Sequence, residues 1–183
     1  MMTTEEKNAA EEFIERIEAL ENGALAQLRR GCGARDTVEG RCPWMLGLVR
    51  TPHREAPAFL VASLLAQYKT SDIRAGRHRM EGDFGVTWRE AIAHTESKSI
   101  VRRFHILLDA DYDPGNGDGD LPYRLRQMVR YAASRGVGVH WPLLFFHIHR
   151  WNALGKGVQK TWARSFFGNE IPEGATQTTE EGE

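Results

Sequence analysis

Apolar residues along the chain recur at helical spacing, and nowhere do four or more of them alternate with polar ones as a half-buried strand requires. The clearest stretch is Ser99 to Asp111, where Ile100, Val101, Phe104, Leu107 and Leu108 fall at i, i+1, i+4, i+7 and i+8. That is one stripe on a helix, with Arg102 and Arg103 beside it. Phe13, Ile14, Ile17 and Leu20 make a stripe on a helix from Glu5 to Leu20, which Gly23 interrupts. A shorter helix follows through Leu25 and Leu28 to Arg29 and Arg30, with Gly31 as its C-cap. Pro43 opens a short helix through Trp44, Leu46 and Val49, which Pro52 closes. His53 to Tyr68 is helical through Phe59, Leu60, Leu64, Leu65 and Tyr68. Thr87-Trp88-Arg89-Glu90 has the pattern of a capping box and starts a helix to His94.

The second half repeats the theme. Leu121 to Arg135 carries a stripe of Leu121, Leu125, Met128, Val129 and Ala132, with Asp120 as N-cap and Gly136 as C-cap. Trp141 to Trp151 is apolar through Leu144, Phe145 and Ile148. Lys156 to Phe167 uses Val158, Trp162 and Phe166. The chain is therefore predicted to be all-α: a helical bundle of about seven to nine helices. Two packed subdomains are expected, residues 1–95 and 96–171, followed by a disordered acidic tail over 172–183. Trp88, Trp141, Trp151 and Trp162 sit at apolar spacings and are expected in the core.

Charge changes this picture. The 183 residues have a formal net charge of -1, but the balance is segregated. Residues 1–21 carry seven Glu, and residues 173–183 carry four Glu and no base. Between them, residues 22–172 carry 22 Lys and Arg against 14 Asp and Glu, a formal charge of +8. Five of those acids lie in the loop 109–120, and 18 of the 22 cations are Arg. Arginine offers a planar fork that suits phosphate and stacks on bases. Arg74, Arg77, His78 and Arg79 lie in a Gly-rich loop, 70–86, readable as a mobile basic finger or as a solvated insertion. No apolar run approaches the ~20 residues of a membrane span, and the start lacks the pattern of a signal peptide. A cytoplasmic protein without a membrane association is expected, with Cys32 and Cys42 as free thiols.

Other chemistries are weakly supported. Asp109, Asp111, Asp113 and Asp120 have the 1, 3, 5, 12 spacing of a calcium loop, but Pro114 occupies the position that needs Gly. Position twelve holds Asp rather than Glu, so a solvated turn is the preferred reading over a calcium-sensing module. His147 and His149 point about 200° apart on a helix, unlike an i, i+4 zinc pair. No nucleophile elbow, P-loop or paired carboxylates occur, so neither enzyme, metal nor cofactor is expected. The basic sets remain: Arg29 and Arg30; Arg102 and Arg103; Arg124, Arg126 and Arg130; Lys156, Lys160 and Arg164. If they line one surface they bind a phosphate backbone, with an affinity falling with salt at a slope of about −0.7 to −0.9 per contact. The competing reading is a helical adaptor whose arginines meet acidic protein surfaces.

The order of motifs adds a resemblance. Ala26-Gln27-Leu28-Arg29-Arg30 comes first, then Arg102-Arg103-Phe104-His105-Ile106-Leu107-Leu108-Asp109-Ala110-Asp111. Leu125-Arg126, His140-Trp141-Pro142-Leu143-Leu144, Trp151 and Trp162-Ala163-Arg164-Ser165-Phe166-Phe167 follow. Over about residues 10–168 the chain resembles the CasB family, the small subunit of the type I-E CRISPR surveillance complex, Cascade. The resemblance implies a non-catalytic, all-helical subunit that contacts guide RNA, target DNA and the displaced strand to stabilise the R-loop in antiviral defence. It implies other Cascade subunits and a second copy of the chain, packed head to tail, as partners. Carried over by position, the nucleic-acid contacts are Arg29, Arg30, Arg102, Arg103 and Arg126, with Arg54, Arg130, Lys156 and Lys160. His140 stands where the family often has Asp before Trp and reads as an exchanged helix cap.

Overall fold

Thr3 opens the first helix by a capping box: its hydroxyl accepts from the Glu6 amide at 3.2 Å, and the Glu6 carboxylate accepts the Thr3 amide at 2.9 Å. From there the computed structural model, which describes residues 3–31, 42–49, 55–95, 98–113 and 119–168, is mainly helical. The helices are α1 (Thr4–Glu18), α2 (Asn22–Gly31), α3 (Glu55–Leu65), α4 (Thr70–Arg74) and α5 (Phe84–Ile92). They continue as α6 (Lys98–Leu108), α7 (Leu121–Ser134), α8 (Trp141–His149) and α9 (Gly157–Phe167). A 3-10 turn, Pro43–Gly47, stands before α3. Among the described residues there is no strand; Arg79 and Val139 form an isolated bridge. The all-α expectation holds.

The caps decide where several helices begin. The α5 helix starts one turn earlier than Thr87 suggests, because Asp83 is its N-cap and accepts from Gly85 and Val86 at 2.8 and 3.2 Å. Thr87 is instead buried inside the helix. At α7 the expected Asp120 cap makes no cap bond; its carboxylate pairs with Arg124 at 2.5 Å. Gly136 does follow that helix in the left-handed region, φ +73°, a conformation in which a Cβ is strained. His140 caps α8, its Nδ1 accepting from the Leu143 amide at 3.2 Å, as its place before Trp141 predicts. The Pro43 segment is a single 3-10 turn with Met45 buried and Leu46 41% exposed, so its apolar stripe is not used as one.

Helix α3 is buried from Pro57 through Leu65 and is the axis of the molecule. It packs against α2, α7 and α8, while α1 lies on α8. On the other side α5 packs on both α9 and α7, and α6 packs on α7. The α5–α9 approach is close enough that a Cβ on Gly85 would stand 2.1 Å from the Trp162 carbonyl oxygen. Trp88, Trp141, Trp151 and Trp162 are all buried at 2% exposure or less. Helices from before and after residue 95 share one apolar cluster. They are also joined through residues 78–80, where Val139 donates to the His78 carbonyl at 2.9 Å.

The 70–86 segment corrects both sequence readings of it. Arg74 donates to the Glu18 carbonyl and, at 2.6 Å, to the Leu20 carbonyl, closing the end of α1. Arg77 pairs with Asp72 at 2.7 Å. Arg79 grips Glu18, and His78 is fully buried between Tyr68, Trp141 and Glu18. The segment is neither a free basic finger nor a solvated insertion, since its cations are tied to α1 and to its own acid.

Candidate nucleic-acid interface

The helix positions of the arginines sort them into two groups. Arg29, at the end of α2, donates from Nε to the Ala66 carbonyl at 2.5 Å and from Nη2 to the Tyr68 carbonyl at 3.1 Å. These carbonyls lie just past α3, where helix geometry leaves acceptors without amide donors. Gln67 returns the contact by donating to the Arg29 carbonyl at 3.2 Å. Arg29 is therefore engaged in joining α2 to α3. Arg30 is exposed and donates to the Ala26 carbonyl one turn back. Arg54 lies outside the described residues.

Arg102 and Arg103 differ from Arg29. On α6 the core-facing residues are Phe104 and Leu107, both fully buried. Arg102 is turned about 200° from Phe104 and Arg103 about 100°. Both are exposed, and neither has a hydrogen bond or ion pair among the described residues. The same is true of Arg130 on α7 and of the Lys160 ammonium on α9. Arg126 is half-buried. Lys156, just before α9, is exposed, and its ammonium lies 3.5 Å from Asp109.

These helices touch. Beyond the α6–α7 packing, Phe104 stacks against Phe166 at 4.3 Å and His105 against Phe167 at 5.2 Å, which seats α6 on the end of α9. The candidate cations of α6, α7 and α9 thus stand on one packed group of helices, whereas Arg29 is drawn into the fold. The sequence held one further signal that charge totals concealed. Residues 121–168 contain no Asp or Glu, and α6 contains none. Helices α6 to α9 therefore have no acid of their own to neutralise their cations. Among the described residues the loop before α7 supplies acids to them, through Asp109 to Lys156 and Asp120 to Arg124.

The remaining chemistry does not assemble into a reactive centre among the described residues. Among the described residues no group of three or more His, Cys, Asp or Glu is placed to hold a metal. His147 is buried, its Nδ1 accepts from the Trp162 indole at 2.8 Å, and burial pushes its pKa down to about 4. It is a neutral acceptor in the core rather than a ligand. Cys42 is a buried free thiol whose pKa burial raises, and Cys32 lies outside the described residues. Among the described residues no helix is long and apolar enough to cross a membrane.

Known proteins share this fold. The family model described as CRISPR-associated protein Cse2 matches residues 24–167. A CRISPR-associated protein Cse2 of Thermus thermophilus is 33% identical over 119 residues, 65% of this chain. The match spans 60% of that relative's own length. The crystal structure of M. ruber CasB superposes with a TM-score of 0.63 at 30% identity, over 87% of this chain and 92% of that one. A chain of a CRISPR RNA-guided surveillance complex superposes with a TM-score of 0.70 at 21% identity, over 88% and 92%, and shares the fold. With most of its helices inside the matched region, the chain belongs to the Cse2 (CasB) family of CRISPR-associated proteins.

Proposed function

We propose that this chain is a non-catalytic subunit of a Cascade-type surveillance complex that holds guide RNA, target DNA and the displaced strand by their phosphate backbones. The observation that carries the reading is the acid-free group α6 to α9, whose Arg102, Arg103, Arg130 and Lys160 are exposed and unpartnered among the described residues. A surface of this kind holds phosphate without reading sequence. Opening DNA onto a guide is a nearly balanced exchange, so backbone contacts alone tip it. Clamping an opened strand therefore needs no bond chemistry, in keeping with the core role of His147. The structural likeness to a chain of a surveillance complex supports the assembly, and a second copy of the chain completes the proposed set of partners. A cytoplasmic location follows from the same reading.

The test is Arg102→Glu with Arg103→Glu in the assembled complex. Target binding and R-loop lifetime should drop while helicity and melting are kept. Unchanged target binding, together with no salt-sensitive binding of single-stranded DNA or RNA, would favour the adaptor reading.

A further inference from the structure

The acid-free group also exposes an aromatic ring. Tyr123 lies in the first turn of α7 and is 58% exposed, while four of the tryptophans are in the core. Its ring and hydroxyl make no ring contact or hydrogen bond among the described residues. The core stripe Leu121, Leu125, Met128, Val129 and Ala132 occupies the opposite side of the helix, so the ring cannot fold inward. Tyr123, Gln127 and Arg130 follow at i, i+4 and i+7, and all three are exposed along one face. Seven residues of rise set Arg130 about 10 Å from Tyr123 along the axis. Ring and guanidinium can then meet neighbouring parts of one strand.

We propose that Tyr123 is a stacking platform for an unpaired base, with Arg130 on the adjoining phosphate. The occupant is single-stranded nucleic acid, because the faces of bases in a duplex are already stacked on one another. The inference rests on the nucleic-acid reading above and adds a contact to bases where that reading needs only phosphate. Charge selects this occupant: α7 has no acid of its own, and Arg130, on the Tyr123 face, has no partner among the described residues, while Arg124 is paired with Asp120. Every base has a π-face, so stacking of this kind tolerates any sequence.

The experiment compares two labelled oligonucleotides of equal length and charge at low salt, one of mixed sequence and one of abasic spacers, bound to the full chain. The wild type should hold the base-bearing strand more tightly. Tyr123→Ala should weaken that strand by about tenfold and leave the abasic strand unchanged, and Tyr123→Phe should restore the difference. An Ala variant that weakens both strands equally, or neither, overturns the stacking role and leaves the phosphate reading intact. A wild-type chain that binds neither strand overturns both.

Discussion

Arg79 reaches across 61 positions to grip Glu18, with Nε 2.7 Å from one carboxylate oxygen and Nη2 2.9 Å from the other. The fully buried His78 ring stands 2.8 Å from the same carboxylate. Burial raises the Glu18 pKa, but the hydrogen bonds from His78 and Arg79 outweigh it and hold the group below its usual 4.5. The folded form therefore favours the carboxylate. Its contribution is present above the unfolded pKa and is lost as pH falls through the lower folded value. Glu18→Gln keeps the shape and removes the charge. It should lower the urea midpoint by an amount worth about 1–3 kcal/mol at neutral pH, with a smaller difference in acid.

His147 gives a second acid sensitivity. Its pKa of about 4 in the folded chain lies below the ordinary 6.5, chiefly because burial disfavours the charged ring. Between those values the unfolded chain binds the extra proton, so stability is full above pH 6.5 and falls as pH drops toward 4. The loss amounts to up to about 3 kcal/mol. His147→Gln retains an acceptor for the Trp162 indole and has no titration of its own. Denaturation curves between pH 7.5 and 4.5 should slope less steeply for this variant than for the wild type.

Two glycines should respond in opposite ways. Gly85→Ala places a methyl against the Trp162 carbonyl and forces α5 away from α9. It should cost about 1–3 kcal/mol, read as a lowered melting temperature. Gly23, in the first turn of α2, has open space where a methyl would stand, with no atom within 4 Å. Gly23→Ala should be neutral or stabilising by up to about 1 kcal/mol in the same melt.

Arginine substitutions should separate folding from binding. Arg29→Ala leaves the Ala66 and Tyr68 carbonyls without their donor and should destabilise by about 1–3 kcal/mol in urea titrations. Arg102→Ala with Arg103→Ala should leave the same titration within about 0.5 kcal/mol, because neither side chain has a partner among the described residues. On single-stranded DNA the order reverses. The double Ala variant should bind more weakly and show a shallower dependence on salt.

What the sequence discloses follows from range. Stripes such as Phe104 and Leu107, or Val158 and Trp162, are set by residues three and four apart, and they appear as helices with their apolar side buried. Gly136 and His140 act within one turn and are legible for the same reason. Thr87 reads as a cap from its local pattern, whereas the cap is Asp83, which accepts from the Gly85 and Val86 amides one turn earlier. Arg29, Arg74 and Arg79 look like Arg102 in one dimension. Their partners lie 37 to 68 positions away, so no local pattern shows that they hold the fold together. Tyr123 is hidden for a different reason. Apolar spacing draws attention to aromatics that are buried, and its exposure emerges only once α7 is in place.

The absence of acids from α6 and from residues 121–168 separates folding from surface charge. A cation added or removed at positions 102, 103, 130 or 160 breaks no internal pair among the described residues and uncovers no core. On the proposed reading, the grip on a strand can be raised or lowered by single substitutions while the scaffold underneath stays as it is.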